Sequence, residues 1–147
     1  MSGEETKALA RRWYAEVWNQ PDLDKALKVA DELHAADVTD HNPLVGQPAG
    51  AEGLKYMIGG LRTAYPDMRF EVNPLVAEGD KVVGHWTMHA TNTGPLTFMG
   101  LPATGKTITI TGTDFLRFSG GKIVELWHQE DVLSMMQQLG FAPAPGQ

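Results

Sequence analysis

The sequence predicts an α+β fold, and three observations carry the prediction. Apolar residues recur at helical spacing from Glu4 to Tyr65, and from Met68 onward the period falls from about 3.6 to 2. No internal repeat, low-complexity block or linker divides the 147 residues, so residues 1–147 read as one domain. Helices first and antiparallel strands afterwards describe three N-terminal helices covering one face of a curved sheet, with a short helix closing the chain.

The first helix runs from Glu4 to Asn19, where Leu9, Trp13, Val17 and Trp18 form a buried face, and Pro21 ends it. Asp22 is placed to cap a second helix, whose stripe is Leu23, Ala26, Leu27, Ala30 and Leu33. A loop is expected at His34 to Asp37, then an extended piece from Val38 to Pro43, because the residue before proline is pushed out of helical geometry. After Gly50 a third helix carries Leu54, Met57, Ile58 and Leu61 and stops at Tyr65-Pro66. Met68, Phe70 and Val72 then alternate with polar residues. Leu75 to Glu78, a Gly79-Asp80 turn and Lys81 to Thr91 make a hairpin, and the Gly- and Pro-punctuated stretch Thr93 to Gly105 suits a pocket rim. Lys106 to Phe118, a Ser119-Gly120-Gly121 turn and Lys122 to His128 make a second hairpin. A helix from Val132 to Leu139 ends at Gly140, and residues 141–147 read as a flexible tail.

Within the strand Lys81 to Thr91, Val82, Gly84, Trp86, Met88 and Ala90 share the side expected to face the helices. Val83, His85, Thr87 and His89 share the half-polar side, which faces solvent or a second subunit and points to a homodimer or homotetramer.

Composition narrows the function. Hydrophobic residues make up 42% and charged residues 20%, as in ordinary globular proteins. Twelve Lys plus Arg against 18 Asp plus Glu give a formal charge of -6, and no basic run exists to neutralise a phosphate backbone, so neither nucleic acid nor an anionic membrane is an expected partner. No apolar stretch approaches the roughly 18 residues of a membrane span, and Met1 to Lys7 lacks the order of a signal peptide, which makes the cytoplasm the expected location. The absence of cysteine removes disulfides, thiolate nucleophiles and sulfur-ligated zinc together. No histidine pair has helical ligand spacing, so no metal is expected either.

Several segments carry a likeness as an ordered set: Arg11-Arg12-Trp13-Tyr14, Asp40-His41-Asn42-Pro43, Tyr65-Pro66-Asp67, Gly100-Leu101-Pro102-Ala103-Thr104-Gly105, Gly121-Lys122-Ile123-Val124-Glu125 and Leu139-Gly140. In this order and spacing the chain resembles the SnoaL-like polyketide and ester cyclases of the nuclear-transport-factor-like superfamily, over nearly its whole length. The resemblance implies a cone-shaped α+β barrel with a closed apolar pocket. It also implies cofactor-independent ring closure by an intramolecular aldol step, with an acid/base aspartate on the last strand. Here that position holds His128, while the preceding strand has Asp114 where the family carries a histidine. The two groups are exchanged between strands.

Ile108, Ile110, Gly112, Asp114, Leu116 and Phe118 share one face, so Asp114 sits on an otherwise apolar side. With a three-residue turn, Asp114 pairs with Leu126, and His128 is its same-face diagonal neighbour at roughly 7 Å. With a two-residue turn the parity changes and Trp127 sits opposite Asp114. An Asp–His pair in an apolar cavity would fix the imidazole tautomer and offset its desolvation, giving a base near neutrality. His128 would then remove a proton next to a carbonyl, and His128 or Asp131 would return one to the new alkoxide. A structural ion pair is the competing reading. Asp131 also stands where an aspartate caps a helix.

Tyr14, Trp86, Met88, Phe98, Met99 and Leu126 suit a pocket for a small apolar or polycyclic carbonyl ligand. Asp40 and His41 either line that pocket or serve a turn. His34, His85 and His89 are expected to be exposed or interfacial. Two rival functions stand beside the cyclase: a noncatalytic module that holds a hydrophobic ligand, and an epoxide-hydrolase-like or isomerase-like enzyme. The hydrolase needs an arginine between two pocket aspartates, and Arg62, Arg69 and Arg117 do not fall on an inward face.

Overall fold

The computed structural model describes residues 2–146 and has the α+β architecture that the change of period predicts. Helix α1 (Gly3–Trp13) starts where the Ser2 side chain accepts from the Glu5 amide, and α2 (Leu23–Leu33) starts where Asp22 accepts from the Lys25 amide. Then come β1 (His34–Asp40), α3 (Gly50–Ala64), β2 (Arg69–Val72), β3 (Val76–Glu78), β4 (Lys81–Thr91), β5 (Thr107–Ser119), β6 (Lys122–Glu130) and α4 (Val132–Leu139). Between α1 and α2 the chain continues as a π-helical turn, Tyr14–Trp18, in which the Asn19 amide donates to the Tyr14 carbonyl at 2.8 Å. The wider turn brings Trp13, Tyr14, Val17 and Trp18 all into the core.

The strands form one sheet in the order β1-β6-β5-β4-β2, with β3 on the other end of β4. Two features differ from the expectation. The sheet is open, with β1 and β2 as unjoined edges, so helices rather than strands close the cone. One pair, β1 with β6, is parallel, because α2 leads straight into β1 and sends it alongside β6 in the same direction. His34 is therefore not in an exposed loop. It is the first residue of β1, 2% exposed, and its Nε2 accepts a hydrogen bond of 3.1 Å from the Trp13 indole N–H. Burial pushes its pKa down to about 4, so it is a neutral core histidine.

The alternating strands divide as the pleat requires: Val82, Gly84, Trp86, Met88 and Ala90 of β4 and Ile108, Ile110, Gly112, Asp114, Leu116 and Phe118 of β5 are all buried. His85 stays exposed on the outer face, and His89 is half-buried there, 3.4 Å from Glu71.

The β5–β6 hairpin takes neither of the two expected registers. Gly120 and Gly121, at φ 59° and 80°, form a two-residue turn, and Ser119 pairs with Lys122. A bulge at Val124 then adds one residue to β6, so Arg117 faces Glu125 and Asp114 directly faces His128. The extra residue restores the parity that the short turn alone would have lost.

Helix α4 is pinned across the sheet by Gln138, which donates to the Thr109 carbonyl at 2.9 Å and accepts from its amide at 2.8 Å. Residues 141–146 have no helix or strand, although the Phe141 amide still donates to the Met136 carbonyl; Gln147 lies outside the described residues. Among the described residues no helix is long and apolar enough to cross a membrane.

Candidate functional site

Between the helices and the inner sheet face lies a cavity of about 100 Å³. Its walls are aromatic and sulfur-rich: Trp13, Trp18, Tyr65, Phe70, Trp86 and Phe98, with Met57, Met88, Met99 and Met135. Of the lining, Met99, Glu130 and Val132 are exposed and Leu44 is half-buried. Among the described residues the titratable groups of the lining are Asp114, His128 and Glu130, apart from the Tyr65 phenol, and no lysine or arginine lines the space.

Asp114 sits on β5 with 6% exposure, and both of its hydrogen bonds fall on Oδ2. Tyr14 Oη–H donates at 2.7 Å and Trp86 Nε1–H at 2.9 Å. No hydrogen bond from the described residues holds Oδ1. The two donors reach the carboxylate because two strand positions are glycine. A Cβ on Gly84 would lie 2.3 Å from Tyr14 Oη, and one on Gly112 would lie 2.2 Å from Trp86 Cζ2. Burial pushes the Asp114 carboxyl up to about 6, against the pull of the Tyr14 hydrogen bond and the His128 charge.

His128 does not bond to Asp114, despite facing it. Its Nδ1–H donates to Glu130 at 2.5 Å and its Nε2–H to Asp40 at 2.9 Å. Burial opposes its charge, yet the bonds to the two carboxylates win and raise its pKa to about 10. The expected Asp114–His128 pair does not form: both ring nitrogens of His128 are taken by other carboxylates, which favours its charged form, and Asp114 is a cavity carboxyl that burial pushes toward neutrality. Asp40 in turn accepts from the Gln47 side chain and the Asn42 amide, and although burial opposes it, these bonds and His128 hold its carboxyl below the usual range.

The other expected residues divide cleanly. Trp86, Met88, Phe98, Met99 and Leu126 line the cavity. Tyr14 does not line it, and reaches it only through its hydroxyl on Asp114. Asp40 lies behind His128, while His41 lies on the outer side of β6, stacked on Trp127 at 4.4 Å and bonded to Glu125 at 2.8 Å. Asp131 is exposed and accepts from the Ser134 amide at 3.0 Å, so its carboxylate caps α4 and lies outside the cavity lining.

Sequence reasoning missed Glu130, although alternation places it on the face of Leu126 and His128. It also assigned Trp13 and Trp18 to packing alone. Arg62 is buried, yet it is engaged by the main-chain carbonyls of Val17, Trp18 and Gln20 and does not reach the cavity. Among the described residues no group of three or more His, Cys, Asp or Glu side chains is placed to hold a metal ion.

The fold is an open-sheet α+β architecture with two carboxyl groups, Asp114 and Glu130, at the wall of an aromatic cavity. The profile of the SnoaL-like polyketide cyclases matches residues 8–139, and the chain belongs to that family. A solved structure from Bacillus cereus ATCC 10987, described as a candidate polyketide cyclase, is 31% identical, with 93% of this chain and 81% of that one covered and a TM-score of 0.75. AclR from Streptomyces galilaeus, a candidate hydroxylase, is 28% identical over 99% of this chain and 87% of its own, with a TM-score of 0.79. TsrD from Streptomyces laurentii, at 24% identity, shares the fold: 97% and 99% of the two chains are covered, with a TM-score of 0.82. No curated protein matches the sequence significantly. The family and these relatives support a cyclase-like or isomerase-like function.

Proposed function

We propose that the protein is a cofactor-independent cyclase that moves protons at a carbon next to a carbonyl of a small apolar substrate, with Asp114 as its acid/base group. The observation that carries this reading is a buried carboxylate with one oxygen held and the other free in an apolar cavity. Oδ1 takes the proton from the α-carbon, and the C–H electrons pass into the enolate. The enolate carbon attacks a second carbonyl of the same molecule, a C–C bond forms, and the Asp114 carboxyl returns the proton to the alkoxide. Nothing is consumed. A carboxyl that titrates near 6 is suited to both halves of this cycle near neutral pH. His128 is proposed as a positioning residue whose fixed charge holds Asp114 within reach of ionisation. The enclosed volume of about 100 Å³ is comparable to cavities that take roughly one benzene-sized molecule, so one ring of the substrate is enclosed and the remainder lies in the mouth.

Deuterium exchange into the methyl group of acetophenone, a ketone with a single enolisable position, tests the proton-transfer half. The wild-type protein should accelerate exchange, with the rate rising through a pKa near 6, and Asp114→Asn should lose about 100-fold or more. Binding of acetophenone without exchange would instead make the protein a ligand carrier and overturn the reading.

A further inference from the structure

The cavity wall holds more hydrogen-bond donors than its aromatic character suggests, and nearly all are already spoken for. Trp13 Nε1–H donates to His34, Trp86 Nε1–H donates to Asp114, and Tyr65 Oη–H donates to the Met135 thioether. Both ring nitrogens of His128 are bound to carboxylates. One side-chain donor of the lining is left: Trp18 is 6% exposed and lines the cavity, and its Nε1–H has no hydrogen-bond partner among the described residues. A buried N–H without an acceptor is costly, and proteins leave few of them.

We infer that the Trp18 indole N–H is the donor that receives the carbonyl oxygen of the ligand. This deepens the proposed function, on which it rests, by fixing what the ligand must present. A neutral acceptor suits the site, because the cationic His128 of the wall is already held between Asp40 and Glu130, Asp114 adds a further carboxylate, and no lysine or arginine lines the space among the described residues. An uncharged ketone or ester fits better than a carboxylate. Trp18 belongs to the π-helical turn next to Tyr14, and its ring packs on Phe70 at 5.6 Å, which in turn packs on Trp86 at 4.9 Å. The donor for the carbonyl and the holder of the acid are thus joined by one aromatic row.

The test uses acetophenone and ethylbenzene, which match in shape and differ in the oxygen, with the whole protein labelled at its indole nitrogens. The Trp18 N–H resonance is assigned by its proximity to Phe70 and Trp13 protons. It should move downfield on titration with acetophenone and stay in place with ethylbenzene. Trp18→Phe should weaken acetophenone about tenfold and ethylbenzene less than about twofold. An equal loss for both ligands, the same resonance shift with both, or no binding of acetophenone would overturn the inference. Should the variant fail to fold, the wild-type titration decides alone. Failure of the two readings is separable: a Trp18 shift without deuterium exchange sinks the catalytic role of Asp114 and keeps the donor, whereas exchange that Trp18→Phe leaves intact, with equal binding losses, sinks only the donor.

Discussion

Asp114 owes its environment to two absent side chains. Gly84 is its cross-strand partner on β4, and Gly112 stands two residues before it on β5. Each clears the path of one aromatic donor to Oδ2. Gly84→Ala should therefore push Tyr14 off the carboxylate and cost about 1–3 kcal/mol of stability through overpacking. Because the Tyr14 hydrogen bond lowers the Asp114 pKa, its loss should move the pH profile of exchange above 6. Tyr14→Phe should move the profile the same way without the clash. A denaturant midpoint and an exchange profile both unchanged in Gly84→Ala would contradict this cradle. Glycine inside a strand is a readable sign of close approach, and both positions were visible in the sequence. What they make room for was not, since Tyr14 is 100 residues away and its direction depends on a turn that no local pattern announces.

That turn is the decisive element. The helical spacing of α1 put Trp13, Val17 and Trp18 on one buried face, and in the π-helical turn Tyr14 is buried with them. Its end is secured from α3: the Arg62 guanidinium donates to the carbonyls of Gln20 at 2.6 Å, Val17 at 3.2 Å and Trp18 at 3.4 Å. Arg62→Met keeps the length and the apolar stem but leaves these carbonyls unsatisfied. The expected loss is about 1.5–3 kcal/mol, read as a lower denaturant midpoint, with a change in the emission of Trp18 as its turn loosens. No loss of stability would show that the carbonyls find other donors. The β6 bulge is the second element hidden from sequence. Hydrophobic alternation correctly put Leu126 and His128 on one face, and the glycine pair correctly marked the turn, yet the two together demand an extra residue. Val124 supplies it with no glycine or proline to betray it. Which residues of β6 share a face was therefore legible, but neither the parity of that face against Asp114 nor the register was.

At the scale of the whole molecule, the change of period was enough to read helices before sheet, but the partners of each buried ionisable group depended on which elements meet. Asp40 and His128 come from strands 88 residues apart, paired in parallel. Three buried groups now set how stability follows pH, and their signs differ. The folded pKa of His128 is raised to about 10, so its contribution is complete below the unfolded value near 6.5 and is lost as pH rises through 10. For His34 the folded value is lowered to about 4, so the unfolded chain takes up the proton first and stability falls as pH drops from 6.5 to 4. The Asp114 pKa is raised to about 6, so its contribution is present at low pH and is lost as pH rises from 3.8 through 6. Between pH 4 and 6 the last two oppose each other and their contributions nearly cancel. Above pH 6.5 only His128 of these three still titrates, and stability should decline steadily toward pH 10, by an amount on the order of a few kcal/mol. Urea midpoints at pH 5, 7 and 9 check this, and His128→Gln should flatten the alkaline limb while lowering the curve at pH 7. A wild-type midpoint that holds or rises from pH 7 to 9 would mean that the two carboxylates do not keep the imidazole charged.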